Sequence, residues 1–487
     1  MKKIAFAIGV LAIVAGILSS CKKTEENHQI AQPYIPPVNG ITSTTLGVKG
    51  SPTPTAYKGT LIANTTYTVV GDILVNKGDT LIVQPGVTVC VADTNCIGVK
   101  GVLISIGTQS NPVVFTDCDA TPNNTLGQPY SSDPAWFHGT SPGWWNGINC
   151  DTSCTLLLLK WTQVWFTGAA FKRQQPIANT AVGSNSYGIF FQNTMGNFIM
   201  EDCKMYGSIN DGIRVQTGRF EVMRSVFEKL GNNTNEAFNV KSGGVGDCAY
   251  NLFIGIATNG SKGSNKGGSP VQCDVCMYNN TYINCGWRQS QAAHGACINY
   301  EQNAKGAAYN NLIVDCKVGL RVVSNPIADT ANLFYGNNFI YGDSLNVTEQ
   351  FYPNPLYITK PDCYIAPIPA ESGYVYNPNG SGAPNTTDAT NLMGANPVNF
   401  VGFPTPENFG LPMIAIDNYE APNSFNFRLQ SNSPCVGTGT TAFPAGYPIN
   451  ACSSVSIPSL GFTVNESAPT NDIGCYPFTN TAIGNQQ

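Results

Sequence analysis

Side chains suited to acid–base chemistry are thinly spread along this chain. Histidine occurs three times, at His28, His138 and His294. His138 stands beside Trp136 and Phe137, and His294 follows Gln291-Ala292-Ala293, a segment that reads as a solvated loop. Arg214 and Arg321 occupy matching places in Gly212-Ile213-Arg214-Val215 and Gly319-Leu320-Arg321-Val322. Strand alternation points both outward on one sheet, where two arginines make a basic stripe able to meet an acidic glycan. Glu201-Asp202 is an adjacent acidic pair inside the repeats, whereas Asp211, Asp247 and Asp315 read as turn carboxylates. The segment Trp136-Phe137-His138-Gly139-Thr140-Ser141-Pro142-Gly143-Trp144-Trp145 is rich in aromatics and turn formers. Sugar rings stack on exposed aromatic faces, so Trp136, Phe137 and Trp144 form a candidate glycan platform.

Cysteine is the other reactive type. Besides Cys21 there are 16, an even number, which in an exported chain favours disulfides. Cys90/Cys96, Cys150/Cys154 and Cys273/Cys276 are close in sequence, and Cys285 and Cys316 close two segments that align without a gap, Asn280–Cys285 and Asn311–Cys316. If Ile283 and Val314 face inward, alternation turns both cysteines inward on adjacent rungs. Cys273 and Cys276 with Cys285 and Cys297 could form a tetrahedral zinc set, but oxidation competes, and the expectation is neither metal nor cofactor.

The elements that must position these residues follow from composition. Of 487 residues, 42% are hydrophobic, 11% are charged, 50 are Gly and 32 are Pro. Long solvated helices and coiled coils are thereby excluded. A net charge of −5, without Lys/Arg runs, excludes a nucleic-acid binder. Short alternating runs such as Thr66–Val70, Leu81–Val83 and Val87–Val89 are separated by Gly, Asn-Lys-Gly and Pro-Gly. Two lines recur at spacings in the twenties and low thirties. One is Tyr250-Asn251-Leu252, Tyr278-Asn279-Asn280, Tyr309-Asn310-Asn311 and Gly336-Asn337-Asn338; the other is Gly212-Ile213-Arg214-Val215 and its kin. That period, with no helical pattern, predicts an all-β solenoid of stacked parallel strands at about 4.8 Å per rung. Asn at equivalent turns tolerates left-handed backbone and can bond the same Asn one rung away.

At the N-terminus, Lys2 and Lys3 precede an apolar run from Ile4 to Leu18, too short for a comfortable span. Leu18-Ser19-Ser20-Cys21 resembles the lipobox of bacterial lipoproteins, which implies lipidation at Cys21. Lys22-Lys23-Thr24-Glu25-Glu26 resembles a signal for export to the outer leaflet, with one intervening Thr. The expected division is a signal peptide over 1–20, a lipidated flexible tether over 21–57, a parallel β-helix over 58–350, and loop-rich closing coils with a C-terminal cap over 351–487.

Leu81–Val89, Gly107-Thr108 with Asn111–Thr116, and Trp145-Asn146-Gly147-Ile148 resemble the opening coils of bacterial right-handed parallel β-helix surface proteins of the pectate-lyase-like superfamily. Asn426–Gln430, Ser433-Pro434 and Asn471–Cys475 resemble their closing choice-of-anchor Q segment, with Cys435 and Cys475 where Ala is usual. The resemblance spans roughly Thr66 to Phe478. It implies a right-handed parallel β-helix with a loop-rich, disulfide-containing C-terminal region, and an inward Trp145. It carries little about function, since such folds host lyases, hydrolases, adhesins and stalks. The local signatures of those lyases and hydrolases, such as Asn-Thr-Asp followed by Asp-Asp and Gly-His-Gly, do not occur in this chain. The expected protein is a monomeric, lipid-anchored outer-membrane surface module that binds extracellular polysaccharide or another cell surface without catalysis. The alternative is a carbohydrate-active enzyme, either a polysaccharide lyase or a glycoside hydrolase.

Overall fold

The computed structural model describes residues 39–118, 145–175, 177, 181–232, 234–289, 291, 294–323, 326–341, 398–402 and 426–478. Cys21, Trp136, Phe137 and Trp144 lie outside them. Over this length the chain winds as a parallel β-helix with three strand positions per coil. Strands such as Ile148–Cys150, Phe238–Val240 and Val318–Val322 stack into a first face. Leu156–Lys160, Gly244–Ala249 and Asp274–Tyr278 belong to the second. The third is an 11-stranded sheet. The first two faces form a single 19-stranded sheet because Ile189–Glu201 and Ile213–Met223 run unbroken through both.

Stacking begins earlier than the sequence suggests. Gly40–Ile41 pairs with Thr60 and Leu61, Thr55–Ala56 pairs with Ile73 and Leu74, and Leu46 is buried in the core. The tether expected over 21–57 therefore gives way to coil structure from Gly40. Polar composition hid this start, because each early rung needs only one or two inward residues such as Leu46 and Tyr57.

Between coils, the Asn column forms as expected. The Asn251 amide donates to Asn280 Oδ1 at 3.1 Å, Asn280 to Asn311 at 3.0 Å and Asn311 to Asn338 at 2.8 Å. The column continues through smaller side chains, with Ser225 N donating to Asn251 Oδ1 and Cys203 N to Ser225 Oγ. The preceding residues take the left-handed backbone: Tyr250, Asn279, Asn310 and Asn337, at φ of 56, 50, 58 and 52°. Each Asn-Asn pair thus divides two roles, one bending the chain and one bonding the next rung. Inside, Phe227, Phe253 and Tyr282 stack at 4.8 and 4.7 Å between ring centroids. Trp145 is wholly buried, and its Nε1 donates to Trp165 O at 2.8 Å.

The outer side of the second face is apolar in much of its length, and the tail covers it. From Thr440 the chain runs from the late coils, where Asn310 bonds its backbone, to a hairpin of Ser456–Ile457 and Phe462–Thr463. That hairpin packs on Val102, Ile104, Leu156, Leu158 and Ile199 of the early coils. The chain then returns, accepting Arg224 at Asn465 O, Tyr278 at Ser467 O and Asn279 at Asp472 O. The described part of the expected cap is thus a strap laid along the side of the coils.

The cysteine pairings differ from the sequence spacing. Cys90 bonds Cys118, with Cα atoms 4.8 Å apart. Val89 and Val91 point into the core, so Cys90 faces out and meets the adjacent rung; Cys96, which begins the next face, is a buried free thiol. Cys273 points into the core, while Cys276 lies on the opposite side beneath the tail, as a three-residue spacing in a strand requires. Cys150 and Cys154 are neighbouring thiols in the core, and Cys435, Cys452 and Cys475 are buried free thiols, so the described tail carries no disulfide.

Cys285 and Cys316 do sit on adjacent rungs, unbonded, with Cys285 N donating to Cys316 Sγ at 3.3 Å. The alternation behind that expectation fails, however. Ile283 and Val314 face outward, whereas Tyr282 and Ile313 face the core. Asn284 and Asp315, at φ of 52 and 50°, turn the chain and bring the cysteines back inward.

Candidate functional site

Register carries the two singled-out arginines onto one outward column of the first face. Arg214 pairs with Asn239, Asn239 with Lys262, Lys262 with Asn299 and Asn299 with Arg321. Cations and amides therefore alternate over five successive rungs. The inward neighbours are Ile213, Phe238, Ile298 and Leu320, all in the core, which fixes the outward sense of the column.

Acidic partners come from the turn that enters each strand and from the row beyond it. Asp211 accepts the Glu236 backbone N–H at 3.0 Å and the Asn239 amide at 2.8 Å, and lies 3.7 Å from Arg214. The turn-carboxylate reading of Asp211 holds, since it bonds the corresponding turn one rung on. Glu236 receives Lys262 at 3.0 Å, Asn259 at 3.1 Å and Asn239 at 3.1 Å. Lys262 also reaches Glu301 at 3.0 Å. Arg214 lies over the Tyr187 ring, 5.0 Å from its centroid, in cation–π geometry.

These contacts separate the proton affinities of neighbouring groups. Burial and the Glu236 charge push Asp211 up to about 7. Burial works against ionisation of Glu236 too, yet Lys262, Asp211 and Lys241 together hold it at about 2. Asp211 is thus the member of the pair that carries a proton near neutrality. Lys241, two residues beyond Asn239, is lowered to about 8 by burial and by repulsion from Lys262 and Arg214. A poised lysine beside a split carboxyl pair is a pattern suited to proton transfer.

The two arginines differ in access. The Arg214 side chain is 23% exposed, whereas Arg321 is buried and donates to Asn299 Oδ1 at 2.9 Å. Of the pair, Arg214 can meet a ligand and Arg321 serves the column. The sequence reading missed Glu236, Lys241 and Lys262. The available signal was the residue two before each strand's first inward position and the one following its last, read down aligned coils.

Glu201 and Asp202 belong to a different cluster, under the tail. They bind Arg224 at 3.1 and 2.9 Å and Lys160 at 2.7 and 3.2 Å. His294 is half-buried and its N–H bonds Gln291 O at 3.2 Å. No family model, curated protein or solved structure matches this chain. The architecture defines its class: a parallel β-helix whose first face carries a charged, hydrogen-bonded outer column.

Proposed function

We propose that this chain is an outer-membrane surface lipoprotein, anchored through Cys21, that binds a uronic-acid-containing extracellular polysaccharide without cleaving it. The observation that carries the binding reading is the column Arg214–Asn239–Lys262–Asn299–Arg321, with Arg214 laid over Tyr187. A repeating polymer presents carboxylates and hydroxyls at regular intervals. Arg214 and Lys262 keep part of their side chains exposed as donors, while the buried Asn239, Asn299 and Arg321 bond within the column and hold it in line. Trp136, Phe137 and Trp144 enter the proposal as a second, stacking platform. Membrane anchorage is tested by Cys21→Ala, which should free the chain from the membrane fraction or leave it unprocessed. Unchanged fractionation and processing would refute the anchor.

Lys241 supports a second reading, a polysaccharide lyase. With a proton affinity near 8 and no side-chain hydrogen bond or ion pair among the described residues, its amine is available to act as base. A uronate C5 proton would pass to Lys241 as the neighbouring glycosidic oxygen leaves, giving an unsaturated sugar. One experiment separates the readings: the purified full chain is exposed to a polysaccharide panel, with binding and ultraviolet-absorbing product measured together. Binding without product supports the first reading. Product that rises with pH through about 8 and disappears in Lys241→Gln supports the second. Neither binding nor product would reject both.

A further inference from the structure

Three sulfur atoms meet inside the late coils, on the core side of the wall that carries the charged column. Cys285 follows the strand Thr281–Ile283, Cys297 lies within Ala296–Glu301, and Cys316 follows Leu312–Val314 one rung on. Their Sγ atoms all lie within 4.8 Å of one another, and all three residues are completely buried. The chain is built to bring them there. Between Cys285 and Cys297 it makes an excursion whose two ends are Gly286 and Gly295, at φ of 93 and 90°. A Cβ on Gly286 would stand 2.0 Å from Gly295 O, so only glycine lets the ends close this tightly. That neck sets Cys285 beside Cys297, and rung stacking supplies Cys316.

We propose that Cys285, Cys297 and Cys316 form a three-coordinate site for a soft monovalent metal ion of the Cu(I) or Ag(I) type. Thiolate sulfur selects soft ions, whereas calcium and magnesium take oxygen ligands. Zinc favours four ligands, and no His, Asp or Glu joins the three sulfurs among the described residues. A disulfide would use two of the sulfurs and strand the third; a trigonal ion uses all three. Thiols that ligate as thiolates release their protons to solvent, and no oxidation state changes.

The test uses the full chain purified under anaerobic conditions and titrated with Cu(I) against a colorimetric Cu(I) chelator. One equivalent should bind, and X-ray absorption should show sulfur neighbours only. Cys285→Ser, Cys297→Ser and Cys316→Ser should each lose that equivalent, while Cys96→Ser, a buried thiol of the early coils, should keep it. Retention of tight binding by all three serine variants would overturn the proposal. So would a disulfide joining any two of these cysteines in the peptide map of the untreated chain. A measurement free of variants guards against misfolding: one equivalent of Ag(I) should raise the melting temperature of the native chain, and no rise would also overturn it.

Discussion

The outward columns of the first and second faces pass through the same coils and differ at almost every rung. On the second face the central column runs Ile104, Leu158, Ile199, Glu221, Asp247, Cys276 and Ala307, and the tail lies across it. On the first face the corresponding rungs carry Arg214, Asn239, Lys262, Asn299 and Arg321. Backbone pairing is the same in both, so stacking alone does not choose the outward chemistry. What chooses it is the neighbour. The side that meets the tail is largely apolar, and two of its acids, Glu201 and Asp247, accept tail backbone N–H groups. The other side links its charged groups to one another along the column and keeps part of Arg214, Lys262 and Glu301 open to solvent.

Removing the tail from Asn426 onward tests this difference most severely. It would uncover Val102, Leu156, Met223, Tyr250 and Tyr278 together, an apolar patch of a kind that soluble monomers rarely expose. The truncated chain should be insoluble or bind a hydrophobic dye strongly, without a cooperative melt. A soluble, cooperatively melting product would mean that the second face does not depend on its strap.

A single-residue version is Tyr278→Ala. Tyr278 is fully buried, makes edge contacts with Tyr250 and Phe443, and donates to Ser467 O at 2.7 Å. The expected loss is about 3–5 kcal/mol by denaturant unfolding, from the cavity and an unmet carbonyl. Trp145→Ala should cost a similar amount through the core, without loosening the tail. Limited proteolysis should distinguish the two: only the Tyr278 variant should release tail fragments early.

How much of this contrast can be read from residues alone depends on the spacing of cause and effect. The Asn column is legible because the rung-to-rung bond repeats within some thirty residues, and Asn251, Asn280, Asn311 and Asn338 announce it. Arg214 and Arg321 are legible as a shared column for the same reason. Runs such as Leu156-Leu157-Leu158-Leu159 signal burial on both sides, as in strands covered on both faces. What covers them is not legible, because the tail meets Glu201, Arg224 and Asp247 across more than two hundred positions. Cys285 and Cys316 show the other limit. Their inward placement rests on left-handed turns at Asn284 and Asp315, which interrupt the two-residue period that strands obey.

Acidity separates the two faces in a further way. Burial pushes Asp247 up to about 7, although Ile449 N and Asn450 N both donate to its carboxyl group. Because its folded value exceeds its unfolded value, its contribution is full below pH ~4 and fades as pH rises through about 7. Glu221, raised to about 10 by burial and by Glu201 and Glu466, acts in the same sense over a wider window. Glu236 on the first face runs oppositely: held at about 2, its contribution is full above pH ~4.5 and is lost as pH falls from there through about 2. Asp247→Asn should therefore flatten the decline in stability between pH ~4 and ~7 by roughly 1.4 kcal/mol per pH unit. Denaturant midpoints measured across that range provide the check, and an unchanged slope would show that Asp247 is ionised beneath the tail.

The smallest effect on folding belongs to Arg214, and it is the most informative about the open face. Its side chain is partly exposed, its ion pair with Asp211 spans 3.7 Å, and its ring contact with Tyr187 lies at the edge of the network. Such a contact contributes little to folding, so Arg214→Ala should lower stability by about 0.5 kcal/mol or less. Loss of a charge-assisted contact to a uronate should nevertheless weaken polysaccharide binding roughly tenfold, about 1.4 kcal/mol. Arg321→Ala should show the reverse balance. Its guanidinium is buried against Asn299, so stability should fall by about 1–3 kcal/mol. Any change in affinity there should follow from disorder of the column. Equal losses of binding from the two variants at matched stability would place Arg321 in contact with ligand. Unchanged binding in Arg214→Ala would remove the first-face column from recognition and leave the aromatic platform at Trp136 and Trp144 as the surface to test.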